Sequence, residues 1–246
     1  MIVCDEKLGV CSVVEVDLKD ELELEQPTLF YIGDPMCSWC YGMSDILKDT
    51  QEYCAKNGIK FQTIVAGLRA SGQVLWDKRF KGFLKHEWTN ISNKTGKKFS
   101  FEILDLLNFD YDTTPACKAV LIAKILSSNN SKIVLEFFSK IQEKFYANSQ
   151  DTKKLEFYKE ICEDLSLDFE EFSKLFEDKS LDKKLQNEFI FGRNLSSSFP
   201  SLILVNKKQK VNIKKREKIK QIGNINPRNG NKKPKWKKKK KKKNLS

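Results

Sequence analysis

Apolar positions along this chain follow two spacings. Short unbroken or alternating runs mark strands, and longer stretches that repeat every three or four residues mark helices. Thr28-Leu29-Phe30-Tyr31-Ile32 is a buried-type strand, ended by Gly33-Asp34-Pro35. Residues 37–56 predict one helix: Met43, Leu47, Thr50 and Cys54 recur at helical spacing, and Asn57-Gly58 stops it. Lys60 to Val65, containing Phe61 and Ile64, alternates as a second strand. Strand, helix and strand within roughly 40 residues make a βαβ unit.

The pattern then turns helical for over a hundred residues. Leu75, Phe80, Phe83, Leu84 and Trp88 fall on one broad helical face. Thr114-Pro115 predicts a helix start, with Thr114 as cap and Pro115 in the first position, followed by Cys117, Val120, Leu121 and Ile125. Val134, Phe137, Phe138, Ile141 and Phe145 form a strongly amphipathic series, and Leu155, Tyr158, Cys162 and Leu165 another. Asp168-Phe169-Glu170-Glu171 fits a capping box leading into Phe172, Leu175 and Phe176. These aromatic residues read as core. Leu181 to Asn194 is a further helix, Leu195 to Pro200 a loop, and Ser201-Leu202-Ile203-Leu204-Val205 a strand that Val211-Asn212-Ile213 could pair with as a hairpin. Near the N-terminus, Val13, Val14, Val16 and Leu18 could form a short strand.

Charge divides the chain. The net charge of +12 over 246 residues comes from its end: residues 207–246 hold 19 Lys/Arg against one acid, whereas residues 1–206 hold 26 against 32 and are mildly acidic. The basic tail is rich in Asn, Gly and Lys and is expected to be disordered. Nucleic acid could therefore meet only this tail, through nonspecific, salt-sensitive phosphate attraction. No run of about 18 apolar residues is present, so no membrane span is expected. The start Met1-Ile2-Val3-Cys4-Asp5-Glu6 lacks a basic segment followed by an apolar block, so no secretory signal is expected and the cytoplasm is the expected location.

The candidate chemistry lies in Asp34-Pro35-Met36-Cys37-Ser38-Trp39-Cys40, two cysteines directly after a strand and at the start of a helix. Unpaired N–H groups and the positive end of the helix dipole at a first turn favour a thiolate, and the thiolate is the nucleophile. The second cysteine lies one turn on, on the same face, where it can attack a mixed disulfide formed by the first. Cys37 is thus the expected nucleophile and Cys40 the resolving thiol. Ser38 and Trp39 between them modulate the pair. Met36, Trp39 and Tyr41 would offer an apolar rim to unfolded segments.

Other uses of the seven cysteines are weaker. Cys54, Cys117 and Cys162 fall in helical patterns and read as core residues. A structural zinc site needs four ligands, usually two pairs, whereas Cys4 and Cys11 have six residues between them and His86 is the sole histidine; no metal is expected. Cys4 and Cys11 read either as unrelated thiols in an acidic leader or as a second dithiol exchanging with Cys37 and Cys40.

Three motifs in order resemble one family. Tyr31-Ile32-Gly33-Asp34-Pro35-Met36-Cys37-Ser38-Trp39-Cys40-Tyr41-Gly42 is similar to the redox segment of cytoplasmic, CxxC-containing DsbA-family protein-disulfide isomerases. Tyr111-Asp112-Thr113-Thr114-Pro115-Ala116-Cys117-Lys118-Ala119-Val120 resembles that group's helical signature, and Ser198-Phe199-Pro200-Ser201-Leu202 its cis-proline loop; Gly67-Leu68-Arg69 and Ile141-Gln142-Glu143-Lys144-Phe145-Tyr146 also fit. The resemblance runs from about Thr28 to Val205.

It implies an α/β thioredoxin fold with an all-helical insertion: an acidic leader at 1–26, an N-terminal half with the CxxC at 27–66, the insertion at 67–180, a C-terminal half with the proline loop at 181–213, and the basic tail at 214–246. It further implies that Phe199-Pro200 is cis and faces the dithiol, where Pro200, which has no N–H, would leave room for a substrate strand beside it and Phe199 would shape that contact. The family's final helix has no clear counterpart. Either that helix is degenerate, or the residues past about Lys207 are a frame-shifted translation, the reading preferred here.

The implied function is thiol–disulfide oxidoreductase or isomerase on protein thiols and disulfides, without a bound cofactor and with an unidentified redox-recycling partner. A glutathione-linked isomerase or transferase of the same fold, and a DsbA-like adaptor presenting client proteins to a protease, are the alternatives.

Overall fold

All six residues of Thr28–Gly33 (β3) are buried, as an apolar run of this kind requires of a central strand. Lys60–Val65 (β4) pairs with it in parallel, from Thr28 opposite Lys60 to Gly33 opposite Val65. Ser201–Val205 (β5) pairs antiparallel on its other side, with Ile32 opposite Ser201 and Thr28 opposite Val205. The computed structural model describes residues 24–72 and 74–205, and the backbone of Ile2–Asp5 (β1) and Val10–Val13 (β2), which pair antiparallel with Cys4 opposite Cys11. Val14, Val16 and Leu18, the hairpin return at Val211–Ile213 and the basic tail lie outside the described residues.

Two short helices follow β3: Ser38–Gly42 (α1) and Ser44–Lys56 (α2). The single helix expected over 37–56 is broken at Met43, where the chain leaves one helix and caps the next. Between β4 and the last helix the chain forms Lys78–Thr95 (α3), Thr114–Leu126 (α4), Ser131–Gln142 (α5), Lys159–Asp164 (α6) and Phe169–Glu177 (α7). Ser180–Leu195 (α8) then returns to the sheet. This is a thioredoxin fold with a helical insertion.

The two faces of β3 feed two cores. Leu29 and Tyr31 join a large cluster that continues through the insertion, while Phe30 and Ile32 pack with Ile64, Val205 and, from α8, Phe191 and Leu195. The insertion is built on aromatic rings. Trp88 is fully buried among Phe99, Phe101, Phe145 and Tyr146, with centroids 5.2–6.2 Å away. The expected series Val134, Phe137, Phe138, Ile141 and Phe145 is buried throughout. So are Cys54, Cys117 and Cys162.

The face expected around residue 80 is narrower than its spacing implies. Leu75 precedes α3 and is 81% exposed, and Phe83 is also exposed, so Leu84 and Trp88 carry the burial. Asp168 caps α7 as expected, accepting from the Glu171 N–H at 3.0 Å. At α4 the expected cap shifts. Thr114 is the first helical residue, Thr113 occupies the N-cap without a side-chain capping bond, and the Asp112 carboxylate accepts from the Thr114 N–H at 2.8 Å.

Helix α4 is apolar nearly all round, and its two buried lysines are paired. Lys118 donates to the Asp178 carbonyl and the Asp182 carboxylate, both at 2.9 Å, and Lys124 to Glu188 of α8. Glu188 also accepts from the Val65 N–H of β4 at 2.8 Å. One carboxylate thus ties the insertion, the last helix and the sheet together.

Candidate active site

Beyond Gly33 the chain turns sharply. The Cys37 N–H donates to the Asp34 carbonyl at 3.0 Å, and Cys37 sits at the N-cap of α1 in extended conformation. The first-turn N–H groups that follow have no partner within the helix and lie next to the Cys37 position. Cys37 keeps 6% exposure and Cys40, one turn inside, keeps none. Burial pushes the Cys40 thiol well above its ordinary value, and the neighbouring Cys37 adds to the shift.

Asp34 anchors the turn from beneath. Its side chain is fully buried and accepts from the Met36 N–H at 2.8 Å, the Leu68 N–H at 2.6 Å and the Cys117 thiol at 3.4 Å. Burial raises its carboxyl above the usual range, against the hydrogen bonds from Leu68, Met36, Thr113 and Cys117. From the other side, the Tyr111 hydroxyl donates to the Met36 carbonyl at 3.0 Å and lies 3.4 Å from the Tyr146 hydroxyl. Thr113 hydroxyl in turn accepts from the Arg69 N–H at 3.2 Å. Segments that resembled the family only as motifs, around residues 67–69, 111–120 and 141–146, therefore converge on one short loop.

Gly67 bends the chain into this contact. It has φ +58°, and a Cβ there would fall 2.8–2.9 Å from the Phe189 ring. Arg193 of α8 holds the same bend by donating to the Ala66 carbonyl at 2.9 Å and to the Gly67 carbonyl.

A second buried group sits under Cys40. The Tyr31 hydroxyl, on the central strand, has no geometrically formed hydrogen bond among the described residues. It faces the Cys40 thiol, whose proximity adds to the effect of burial in raising the phenol well above its ordinary value. Gly33 leaves the space they share: a Cβ on it would fall 2.5 Å from the Tyr31 oxygen and 3.2 Å from Cys40 Sγ.

The other expected site residues divide. Phe199-Pro200 is cis, and Pro200 comes immediately before the Ser201–Ile32 pair, which sets it level with Gly33 at the dithiol end of the sheet. Phe199 is half-buried, with the Arg193 guanidinium 5.8 Å from its ring centre. Ser38 is half-buried. The expected apolar rim is not at the surface: Met36, Trp39 and Tyr41 are 1%, 8% and 6% exposed. Met36 sulfur accepts from the Thr152 hydroxyl at 3.4 Å, Trp39 donates to Glu87 at 3.1 Å, and Tyr41 stacks on Tyr146 at 5.1 Å. Their apolar bulk is taken up by the insertion. Leu75, Phe83, Leu106 and Leu107 are apolar side chains left exposed, and the Leu106 carbonyl accepts from the Trp76 indole N–H at 2.9 Å.

Sequence reasoning missed Asp34, Tyr31, Tyr111 and the polar contact of Cys117. Asp34 read as a strand terminator and Cys117 as core packing; a charged residue bordering an apolar strand was the one available signal. Among the described residues, no group of three or more His, Cys, Asp or Glu is placed to hold a metal ion, and no helix is long and apolar enough to cross a membrane.

The family described as Thioredoxin matches residues 30–224. A putative protein disulfide isomerase from Nitrosomonas europaea superposes with a TM-score of 0.64 at 26% identity, covering 75% of this chain and 87% of that one. The cytosolic disulfide reductase DsbM from Pseudomonas aeruginosa gives 0.62 at 23% identity, with 74% and 86% covered, and has the same fold in its structure with GSH. The ClpXP adapter protein SpxH of Bacillus subtilis is 25% identical over 179 residues, 72% of this chain and 58% of SpxH. This chain thus spans less than two thirds of that curated relative. The DsbA-family likeness read from three motifs agrees with these neighbours, and the chain belongs to the thioredoxin family.

Proposed function

We propose that this protein is a thiol–disulfide oxidoreductase or isomerase acting on protein disulfides through Cys37 and Cys40. The observation that carries the reading is the unequal setting of the two thiols: Cys37 at a helix N-cap with the remaining exposed edge, Cys40 fully buried behind it. The Cys37 thiolate attacks one sulfur of a substrate disulfide, and the other sulfur leaves and takes up a proton. Cys40 then gives up its proton and attacks Cys37 Sγ, and the second substrate sulfur departs as a thiol. The substrate gains two electrons, and the protein ends with a Cys37–Cys40 disulfide for a recycling thiol to reduce.

Pro200, level with Gly33 and lacking an N–H, leaves the end of β5 free to receive a substrate strand, with Phe199 beside it. Ser38, half-buried and between the two cysteines in sequence, modulates the pair. The cytoplasmic setting expected from the sequence favours reduction or isomerisation over net oxidation. Glutathione is a candidate recycling thiol, as DsbM is known in a structure with GSH. Two cysteines, in place of a lone Ser or Cys, weigh against a glutathione transferase.

An adaptor role has one observation in its favour, the likeness to SpxH. The two readings separate by mutation. Cys37→Ser is expected to abolish multiple-turnover reduction of a model protein disulfide, and Cys40→Ser to accumulate mixed disulfides at Cys37. Continued turnover by Cys37→Ser would sink the enzyme reading. An adaptor would keep presenting its client when both cysteines are replaced.

A further inference from the structure

We propose that the buried hydroxyl of Tyr31 is the hydrogen-bond donor that stabilises the Cys40 thiolate during resolution of the mixed disulfide. The inference rests on the exchange chemistry above and assigns a role to a residue outside the CxxC itself. Tyr31 lies on the central strand, is 0% exposed and has an otherwise apolar setting, with Phe138 edge-on to its ring at 5.6 Å. Its oxygen is one of the few buried side-chain polar atoms without a partner among the described residues. A buried hydroxyl left unpaired is costly, so its retention next to a thiol calls for a state in which it is used. That state is the thiolate.

The geometry brings the two groups to one point. The absent side chain of Gly33 is what makes room, since a Cβ there would meet both Tyr31 Oη and Cys40 Sγ. Cys40 is beyond the reach of water at 0% exposure, so solvent cannot stabilise the negative charge it develops on attack. Tyr31 has one O–H to give, and a hydrogen bond to a charged sulfur is stronger than one to a neutral thiol. Tyr31 is no base: burial and the nearby thiols hold its own proton firmly. The proton released by Cys40 therefore goes to the departing substrate thiolate, and Tyr31 keeps its own while donating to sulfur. Overall, substrate–S–S–Cys37 and Cys40–SH become Cys37–S–S–Cys40 and substrate–SH.

The test is single-turnover exchange of the reduced full-length chain with a disulfide-linked peptide, following peptide capture at Cys37 and peptide release by Cys40 separately. In Tyr31→Phe, capture should stay within about twofold of the unsubstituted protein, while release slows roughly tenfold, the effect of one hydrogen bond to a developing charge. Losing the donor raises the Cys40 thiol further, so the pH profile of release should move to higher pH. The thermal midpoint should hold or rise, because an unsatisfied buried oxygen has gone. Gly33→Ala, whose methyl drives into the same space, should slow release as well. Unchanged release and an unchanged profile in Tyr31→Phe, with capture intact, overturn this inference alone. Absence of capture by the unsubstituted protein sinks the exchange reading and this inference with it.

Discussion

The loop from Asp34 to Cys40 and the aromatic core of the insertion lie against each other but are held by opposite means. The core relies on rings. Trp88, Phe99, Phe145 and Tyr146 meet edge-on or tilted, and the Trp88 indole N–H has no partner among the described residues. The loop relies on directed bonds: the Asp34 carboxylate, the Met36 N–H and carbonyl, and the Leu68 N–H are all paired. Ring packing is non-directional and fills space without fixing the position of any single polar atom. A turn that sets one cysteine at a helix N-cap and buries the other one turn behind it cannot be set that way. Tyr146 joins the regions, stacking on Tyr41 and meeting Tyr111 through its hydroxyl.

The comparison breaks most plainly in the core. Trp88→Ala is expected to cost about 4 kcal/mol through lost contacts and the cavity left behind. Denaturant unfolding measures it. Exchange per folded molecule should stay near normal, because the substitution removes ring contacts with Phe99, Phe101, Phe145 and Tyr146 and leaves the hydrogen bonds of the loop in place. A stability loss below about 1 kcal/mol would mean the rings repack freely and are not the framework of the insertion.

The loop breaks differently. Asp34→Ala strands the Met36 and Leu68 N–H groups in a buried site and should cost about 3 kcal/mol. Unlike the core substitution, it should also slow exchange per folded molecule, because the Met36 amide is released immediately before Cys37. If both substitutions alter stability alone, the distinction between a packed frame and a bonded loop fails. Comparing the two at matched folded fraction, in denaturant titrations run alongside single-turnover capture, separates the outcomes.

How much of this was legible beforehand follows the same division. The periodic apolar series at 134–145 and the run at 28–32 identify their own elements, since burial of a face is a local pattern. The dithiol was legible because its spacing and its place between strand and helix are local too. The cis bond at Phe199-Pro200 came from the family resemblance and not from spacing. Asp34 was opaque: its partners Leu68 and Cys117 stand 34 and 83 residues away, and nothing nearby announces them. Met36, Trp39 and Tyr41 misled for the same reason. Apolar residues beside a pair of cysteines look like a client surface until the insertion, distant in sequence, closes over them.

The smallest expected effect tests the junction of the two regions. Tyr111→Phe keeps the ring that packs on Phe80, Phe109 and Phe145 and removes the single hydroxyl that donates to the Met36 carbonyl. A buried neutral hydrogen bond of this kind contributes about 1 kcal/mol, so the loss of stability should be near that value. The Tyr146 hydroxyl, 3.4 Å away, loses the Tyr111 oxygen as its neighbour in the same substitution. Capture at Cys37 should therefore fall modestly, by less than in Asp34→Ala, with the core intact by near-UV circular dichroism. A Tyr111→Phe protein that loses its near-UV signal would show that the hydroxyl pair belongs to the ring framework, and that the insertion grips the redox loop by packing alone.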